Sequence, residues 1–243
     1  MKISQSAVKS FYDENFCELK WEKHFIEGYR SRPTAAMIDG LVFEEFTIGS
    51  TRDNESFISL IPRLKNGNIS KREADLIYLS EFAKKTMKDL DIKLIEVQPE
   101  WETDTLIGHP DALITYKGNL AIMDLKYTAV REDESCRWNP YAWSDLKYKD
   151  FRQALHYVEM YYQLYDIYLP FFYLVFGKSG WVKFISVDIT SNALDDYRML
   201  LDTFTNDLQD FAAKPIKNYS ICRKCELNCT KRTDKPNVIN IEI

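Results

Sequence analysis

Gly108-His-Pro-Asp-Ala-Leu-Ile-Thr-Tyr-Lys-Gly-Asn-Leu-Ala-Ile-Met-Asp-Leu-Lys126 reads as two strands folded back on one another. Residues 104–116 and 120–127 are β-branched, aromatic and alternating, and Lys117-Gly-Asn119 is a tight turn between them. Side chains two apart on a strand share a face, so Asp124 and Lys126 point the same way. Asp111 lies across the turn, where its carboxylate comes beside that of Asp124.

Two carboxylates and one ammonium at a sheet edge form a set with a definite chemistry. A hard cation such as Mg²⁺ or Mn²⁺ wants oxygen ligands in octahedral geometry. Asp111, Asp124, the backbone carbonyl of Leu125 and waters would supply them. Such an ion polarises a phosphate ester and lowers the pKa of bound water. Lys126 would orient that water or offset charge in the transition state. Taken alone, Asp-x-Lys on a strand fits a solvated face as well, and Pro-Asp often marks only a turn.

Two other stretches add to the set. Gly40-Leu-Val-Phe-Glu44 falls in a helix expected from Thr34 to Ile48, with Pro33 at its entry and Gly49 at its exit. Gly40 would let that helix approach the sheet closely, and Glu44, one turn on, would be a third carboxylate for the metal. By itself Glu44 reads as an exposed side chain beside Glu45. Gln153-Ala-Leu-His-Tyr157 places an amide and a phenol at i and i+4, on one face of a helix expected over about 147–165. That pair would orient a catalytic group or hold a phosphate. A partly buried polar pair, with Tyr157 packing beside Tyr161, is the plainer alternative.

The rest of the chain gives these stretches a frame. Residues 4–30 carry apolar side chains at helical spacing. Ser70 with Glu73 forms a capping box before a helix over 71–90, and residues 92–99 read as a strand. A hairpin over 168–177 and 181–189 turns at Gly177-Lys-Ser-Gly180, and a last helix spans about 191–213. The predicted class is α/β, a central mixed sheet flanked by helices. With 243 residues, 45% of them hydrophobic, the chain suits one large folded domain with a substantial core. A helical N-terminal part (about 1–91) and a Cys-rich tail (about 214–243) are expected to pack together within it. The net charge of −5 does not favour a polyanion, although a local basic groove is enough to hold phosphates. No apolar run approaches the ~20 residues of a membrane span, and no signal peptide opens the chain, which points to the cytoplasm.

The set Pro110-Asp111, Asp124-Leu-Lys126 and Gln153-x-x-x-Tyr157 resembles the PD-(D/E)XK nuclease superfamily, and within it the RecB-like exonuclease branch. The order of motifs is that branch's. The branch usually places a His four residues after the helical glycine. This chain has Glu44 there, as in the lambda-exonuclease and YqaJ-like recombination exonucleases. The resemblance implies a restriction-endonuclease-like core and a Mg²⁺- or Mn²⁺-dependent DNA exonuclease. Its catalytic set would be Asp111, Asp124, Lys126, Gln153 and Tyr157. The substrate would be single-stranded DNA or duplex ends, handled in recombination, repair or CRISPR-type processing with possible helicase or recombination partners. An idle binding subunit or an endonuclease on the same fold are the other readings.

Five cysteines in a reducing compartment argue against a disulfide framework. Cys222-Arg-Lys-Cys225-Glu-Leu-Asn-Cys229 sets three thiols in eight residues, and Cys17 stands far upstream. This arrangement resembles the iron–sulfur nucleases of the same branch, AddB-type and CRISPR-associated (Cas-four-like), in which four cysteines hold a [4Fe–4S] cluster. The last gap is shorter than usual there. A zinc site on the same thiolates, with His24 as a substitute ligand, is the alternative. So is no metal at all, with Cys17 a buried helix residue. Cys136 reads as an ordinary thiol.

Between strand and helix, Thr128–Lys149 interleaves Arg131, Arg137, Trp138, Tyr141, Trp143, Lys147, Tyr148 and Lys149. Aromatic and basic groups so mixed stack bases and track a single-stranded backbone. An amphipathic loop covering the core fits the same residues.

Overall fold

The motif hairpin is real and sits at the middle of a sheet. The structure, a computed structural model, describes residues 2–13, 16–49, 56–131, 151–209, 211 and 227. The chain falls into two compact units, one from residues 6–31 and 201 onward, the other from 2–5 and 32–200.

The second unit holds a five-stranded sheet in the order β1-β4-β5-β6-β7. Its strands are β1 (Ile92–Val97), β4 (Ala112–Tyr116), β5 (Asn119–Thr128), β6 (Phe171–Gly177) and β7 (Val182–Val187). The β5–β6 pair is parallel and the others antiparallel. Parallel neighbours need a crossover, and α5 (Arg152–Tyr165) lies in it. Strand β6, Phe-Phe-Tyr-Leu-Val-Phe-Gly, is buried along its whole length, as a strand covered on both faces must be.

The β4–β5 turn has Lys117 at φ 49° and Gly118 at φ 82°, with Tyr116 opposite Asn119. Two left-handed residues make a turn whose twist matches the strands it joins. It fixes the register Ala112↔Met123, so the next residues outward are Asp111 and Asp124.

Alternation along β5 separates two layers. Ala121, Met123 and Leu125 join Val42, Phe43, Leu76, Leu79 and Ala83 in the main core, under α3 (Ala35–Ile48) and α4 (Lys71–Asp89). Asp124 and Lys126 lie on the other face, toward α5. The caps of α3 and α4 follow the sequence. Thr34 accepts from Met37 N, Gly49 closes α3 at φ 76°, and Ser70 accepts from Glu73 N.

Two expected elements are broken. Residues 4–30 form α1 (Gln5–Phe11) and α2 (Glu18–Phe25), not one helix. The strand expected over 104–116 divides. Ile107–Gly108 is a short strand, β3, paired with β2 (Trp101–Glu102) in a separate two-stranded sheet, and β4 starts only after Pro110 and Asp111. Proline has no N–H to give a ladder, so the pairing with β5 stops there. In the first unit, Phe11, Trp21, Phe204 and Phe211 form an aromatic cluster in which Trp21 Nε1 donates to Ala7 O at 2.9 Å. Phe204 belongs to α6 (Ser191–Gln209). Among the described residues no helix is long and apolar enough to cross a membrane.

Candidate active site

The ending of β4 creates the site. Past the Ala112–Met123 pair, β5 has no backbone partner on that side, and the Asp111 side chain takes its place: Leu125 N donates to Asp111 Oδ2 at 2.7 Å. The Leu125 carbonyl faces the same edge as its N–H, as strand geometry requires. Asp111 is 8% exposed and Asp124 fully buried.

Asp124 is held from two directions. Gln153, in the first turn of α5, donates through Nε2 to Asp124 Oδ1 at 2.7 Å. Lys126 Nζ forms an ion pair with Asp124 Oδ2. That oxygen is buried and has no aligned hydrogen-bond donor. Burial, then the charge of Asp111, push the Asp124 carboxyl up to about 7, against the pull of Lys126. Burial presses the Lys126 ammonium toward losing its proton, but Asp124 and Asp111 outweigh it and hold its pKa above the ordinary lysine value.

Glu44 comes from α3 and is buried, not exposed as its isolated reading suggests. Its Oε1 accepts from Gln98 Nε2 at 2.7 Å, and its charge is felt at Asp124. Its neighbour Glu45 acts elsewhere, because its Oε2 accepts from Phe57 N at 2.7 Å, at the start of the short 3-10 helix Phe57–Leu60. The expected role of Gly40 fails, because a Cβ built there meets nothing within 4 Å. The close approach is at Gly108 instead, where a Cβ would stand 2.8 Å from Tyr157 Cε1 and 2.9 Å from Met160 Sδ.

Tyr157 donates its hydroxyl to the His109 carbonyl at 3.0 Å, and its ring packs near Trp101 and Phe171. Burial and the charges of Asp124 and Asp111 raise its pKa, with the Gln153 amide beside the hydroxyl. The preceding residue, which has no signal of its own in the sequence, makes a second link to the same segment. His156 is fully buried, with Nε2 against Ile107 O at 3.0 Å and Nδ1 against Tyr197 OH at 2.8 Å. A carbonyl only accepts, so Nε2 carries the proton and Nδ1 accepts from the phenol. Burial lowers the His156 pKa to about 4.

Among the described residues no three His, Cys, Asp or Glu side chains are gathered tightly enough to form a ready metal-binding group. The donor set still suits one hard cation: two adjoining carboxylates, the Leu125 carbonyl, and Glu44 within electrostatic reach.

The other expected residues are less informative. Arg131 is exposed, and its carbonyl accepts from Ser179 Oγ. Arg137, Trp138, Tyr141, Trp143, Lys147, Lys149 and Cys136 lie outside the described residues, as do Cys222, Cys225 and Cys229. Cys17 is a partly exposed thiol at the N-cap of α2, not a buried helix residue. His24 is in the last turn of that helix, beside Phe25 and Tyr29.

No family model matches the chain, and comparison with curated proteins finds no match. Among solved structures it is similar to the "Putative exonuclease" of Eubacterium rectale, at a TM-score of 0.67 and 18% identity, over 98% of this chain and 91% of that one. An alkaline exonuclease from Laribacter hongkongensis matches at a TM-score of 0.45 and 11% identity, over 86% and 88% of the two chains. At that score the second likeness adds nothing to the assignment, which stands on the first match and on the strand order. A five-stranded mixed sheet with helices on its faces and the hairpin of β4 and β5 near its middle make this a restriction-endonuclease-like fold.

Proposed function

We propose that this chain is a divalent-cation-dependent exonuclease that hydrolyses DNA phosphodiester bonds at free ends. The observation that carries the reading is the hydrogen-bonded meeting of Asp111, Asp124, Lys126 and Gln153 where β4 stops and β5 continues. The fold shared with the Eubacterium rectale protein, itself named "Putative exonuclease", supports it.

Asp111, Asp124 and the Leu125 carbonyl would hold Mg²⁺ or Mn²⁺, with Glu44 as a further carboxylate. When bound, the ion polarises the scissile phosphate and favours ionisation of water. The chain's own groups do the rest. Lys126, paired with Asp124, would orient the attacking water or offset phosphate charge. Gln153 fixes the Asp124 carboxylate. Tyr157 anchors the segment that leads into Asp111. Residues 128–149 would guide single-stranded DNA to the site by stacking and charge, with little base preference. Cys17, Cys222, Cys225 and Cys229 would bind a [4Fe–4S] cluster, or zinc, in a structural role.

The test is hydrolysis of end-labelled linear single-stranded and duplex DNA in Mg²⁺ or Mn²⁺, with circular DNA as control. Wild-type protein is expected to degrade linear DNA and spare circles. Asp124→Ala and Lys126→Ala are expected to lose turnover by at least about 100-fold, the scale of a lost transition-state contact. Folded wild-type protein that cuts no DNA, or variants that cut as fast, would remove the reading.

A further inference from the structure

Gln98 stands just beyond β1, in a position the sequence does not single out. Val97 pairs with Ala112, so Gln98 adjoins Asp111 at the end of the ladder. Its backbone N–H donates to the Asp111 carbonyl at 2.9 Å. Its side-chain Nε2 donates to Glu44 Oε1 at 2.7 Å. One residue therefore ties the helix that carries Glu44 to the segment that carries Asp111.

The backbone there is unfavourable for glutamine. Gln98 has φ 48°, in the left-handed region that glycine or asparagine occupies at lower cost. Glycine has no side chain to reach Glu44. A neutral amide has a further advantage at this position. It donates to a carboxylate without adding a positive charge that would compete with a cation, where lysine or arginine would neutralise Glu44 and glutamate would repel it. Strained backbone next to an acidic site is where a positioning role is expected.

We propose that Gln98 is a positioning residue that sets Glu44 against Asp111 and thereby tunes the site's affinity for the divalent cation. The proposal rests on the cation-dependent reading above.

Calorimetric titration of Mn²⁺ into metal-free protein tests it without any turnover measurement. The proteins are wild type, Gln98→Ala, Glu44→Gln and the double variant, with thermal melting as a check on folding. Gln98→Ala is expected to weaken Mn²⁺ binding about 10- to 100-fold, the usual cost of losing a ligand's hydrogen-bonding partner. In the Glu44→Gln background the same change is expected to weaken it no further. Turnover of Gln98→Ala is expected to recover at saturating Mn²⁺. If Gln98→Ala fails to fold, Gln98→Gly, which suits the left-handed backbone, carries the same comparison. Equal Mn²⁺ affinity in wild type and Gln98→Ala, or an equal loss with and without the Glu44 carboxylate, overturns the role of Gln98 alone. Wild-type protein that binds no Mn²⁺ overturns the cation-dependent reading along with it.

Discussion

Gln153 on α5 donates to Asp124 on β5 at 2.7 Å, and this one amide fixes which Asp124 oxygen is left for Lys126. Removing it frees the carboxylate to rotate in a buried setting. Gln153→Ala is expected to lower turnover about 10- to 100-fold. Denaturant unfolding should show a loss of about 1–3 kcal/mol, the cost of a buried acceptor without its donor.

Asp124 makes the metal-free protein sensitive to pH. Its carboxyl is pushed up to about 7, whereas an aspartate in an unfolded chain ionises near ~3.9. Between those values the folded state keeps a proton that the unfolded chain has released. Stability in chelator should therefore fall as pH rises from about 4 to about 7. Asp124→Asn cannot ionise and should flatten that slope. In the proposed cation-dependent site a bound ion would take the proton's place, so Mn²⁺ should raise the melting temperature more at pH 8 than at pH 5.5.

His156 gives the opposite slope. It is buried neutral with its pKa lowered to about 4, against ~6.5 in an unfolded chain. Below about pH 6.5 the unfolded chain takes up a proton that the folded state refuses, so stability is lost as pH falls toward 4. His156→Gln should cost about 1–3 kcal/mol at pH 7, because Tyr197 and Ile107 lose a partner. At pH 5 the gap to wild type should narrow, as measured by denaturant unfolding at the two pH values.

Two glycines should respond in opposite ways. Gly108→Ala drives a Cβ into Tyr157 and Met160 and is expected to destabilise by about 1–3 kcal/mol. Because α5 carries Gln153, turnover should fall as well. Gly40→Ala meets open space inside a helix and should stabilise by about 0.5–1 kcal/mol without loss of turnover. Melting and single-turnover assays on the pair decide both points.

The cysteine proposal has a direct assay. Protein purified without oxygen should show a broad absorption near the visible blue and contain iron and sulfide. Cys17→Ser and Cys222→Ser should each bleach it. Zinc without colour would place the alternative metal on the same thiolates, and neither metal would leave the thiols ordinary.

How much of this was legible in the sequence depends on the distance over which each signal acts. The hairpin, its turn and the shared face of Asp124 and Lys126 are local and follow from alternation and Lys117-Gly118. The caps at Thr34, Gly49 and Ser70 are local too. Gln153 was recognisable by its spacing from Tyr157, but its partner was not, since β5 and α5 meet only after the crossover to β6. Gln98 and His156 carried no sequence signal, because their partners Glu44, Ile107 and Tyr197 are tens of residues away. Gly40 drew attention by its place in a motif, while the glycine that matters for packing, Gly108, stood at the head of the hairpin stretch. The strand expected over 104–116 broke because alternation does not reveal that Pro110 ends a ladder.

The two-residue turn at Lys117-Gly118 has a consequence for how the chain can vary. Five residue pairs separate it from the acidic end of the hairpin, and it counts them off like a ruler. Lengthening the tip by two residues keeps the parity of every pair. Lengthening it by one forces a bulge or turns Asp111 away from Asp124. Grafts placed at this tip should therefore keep Tyr116 opposite Asn119, because a one-residue slip of the pairing turns every side chain to the other face.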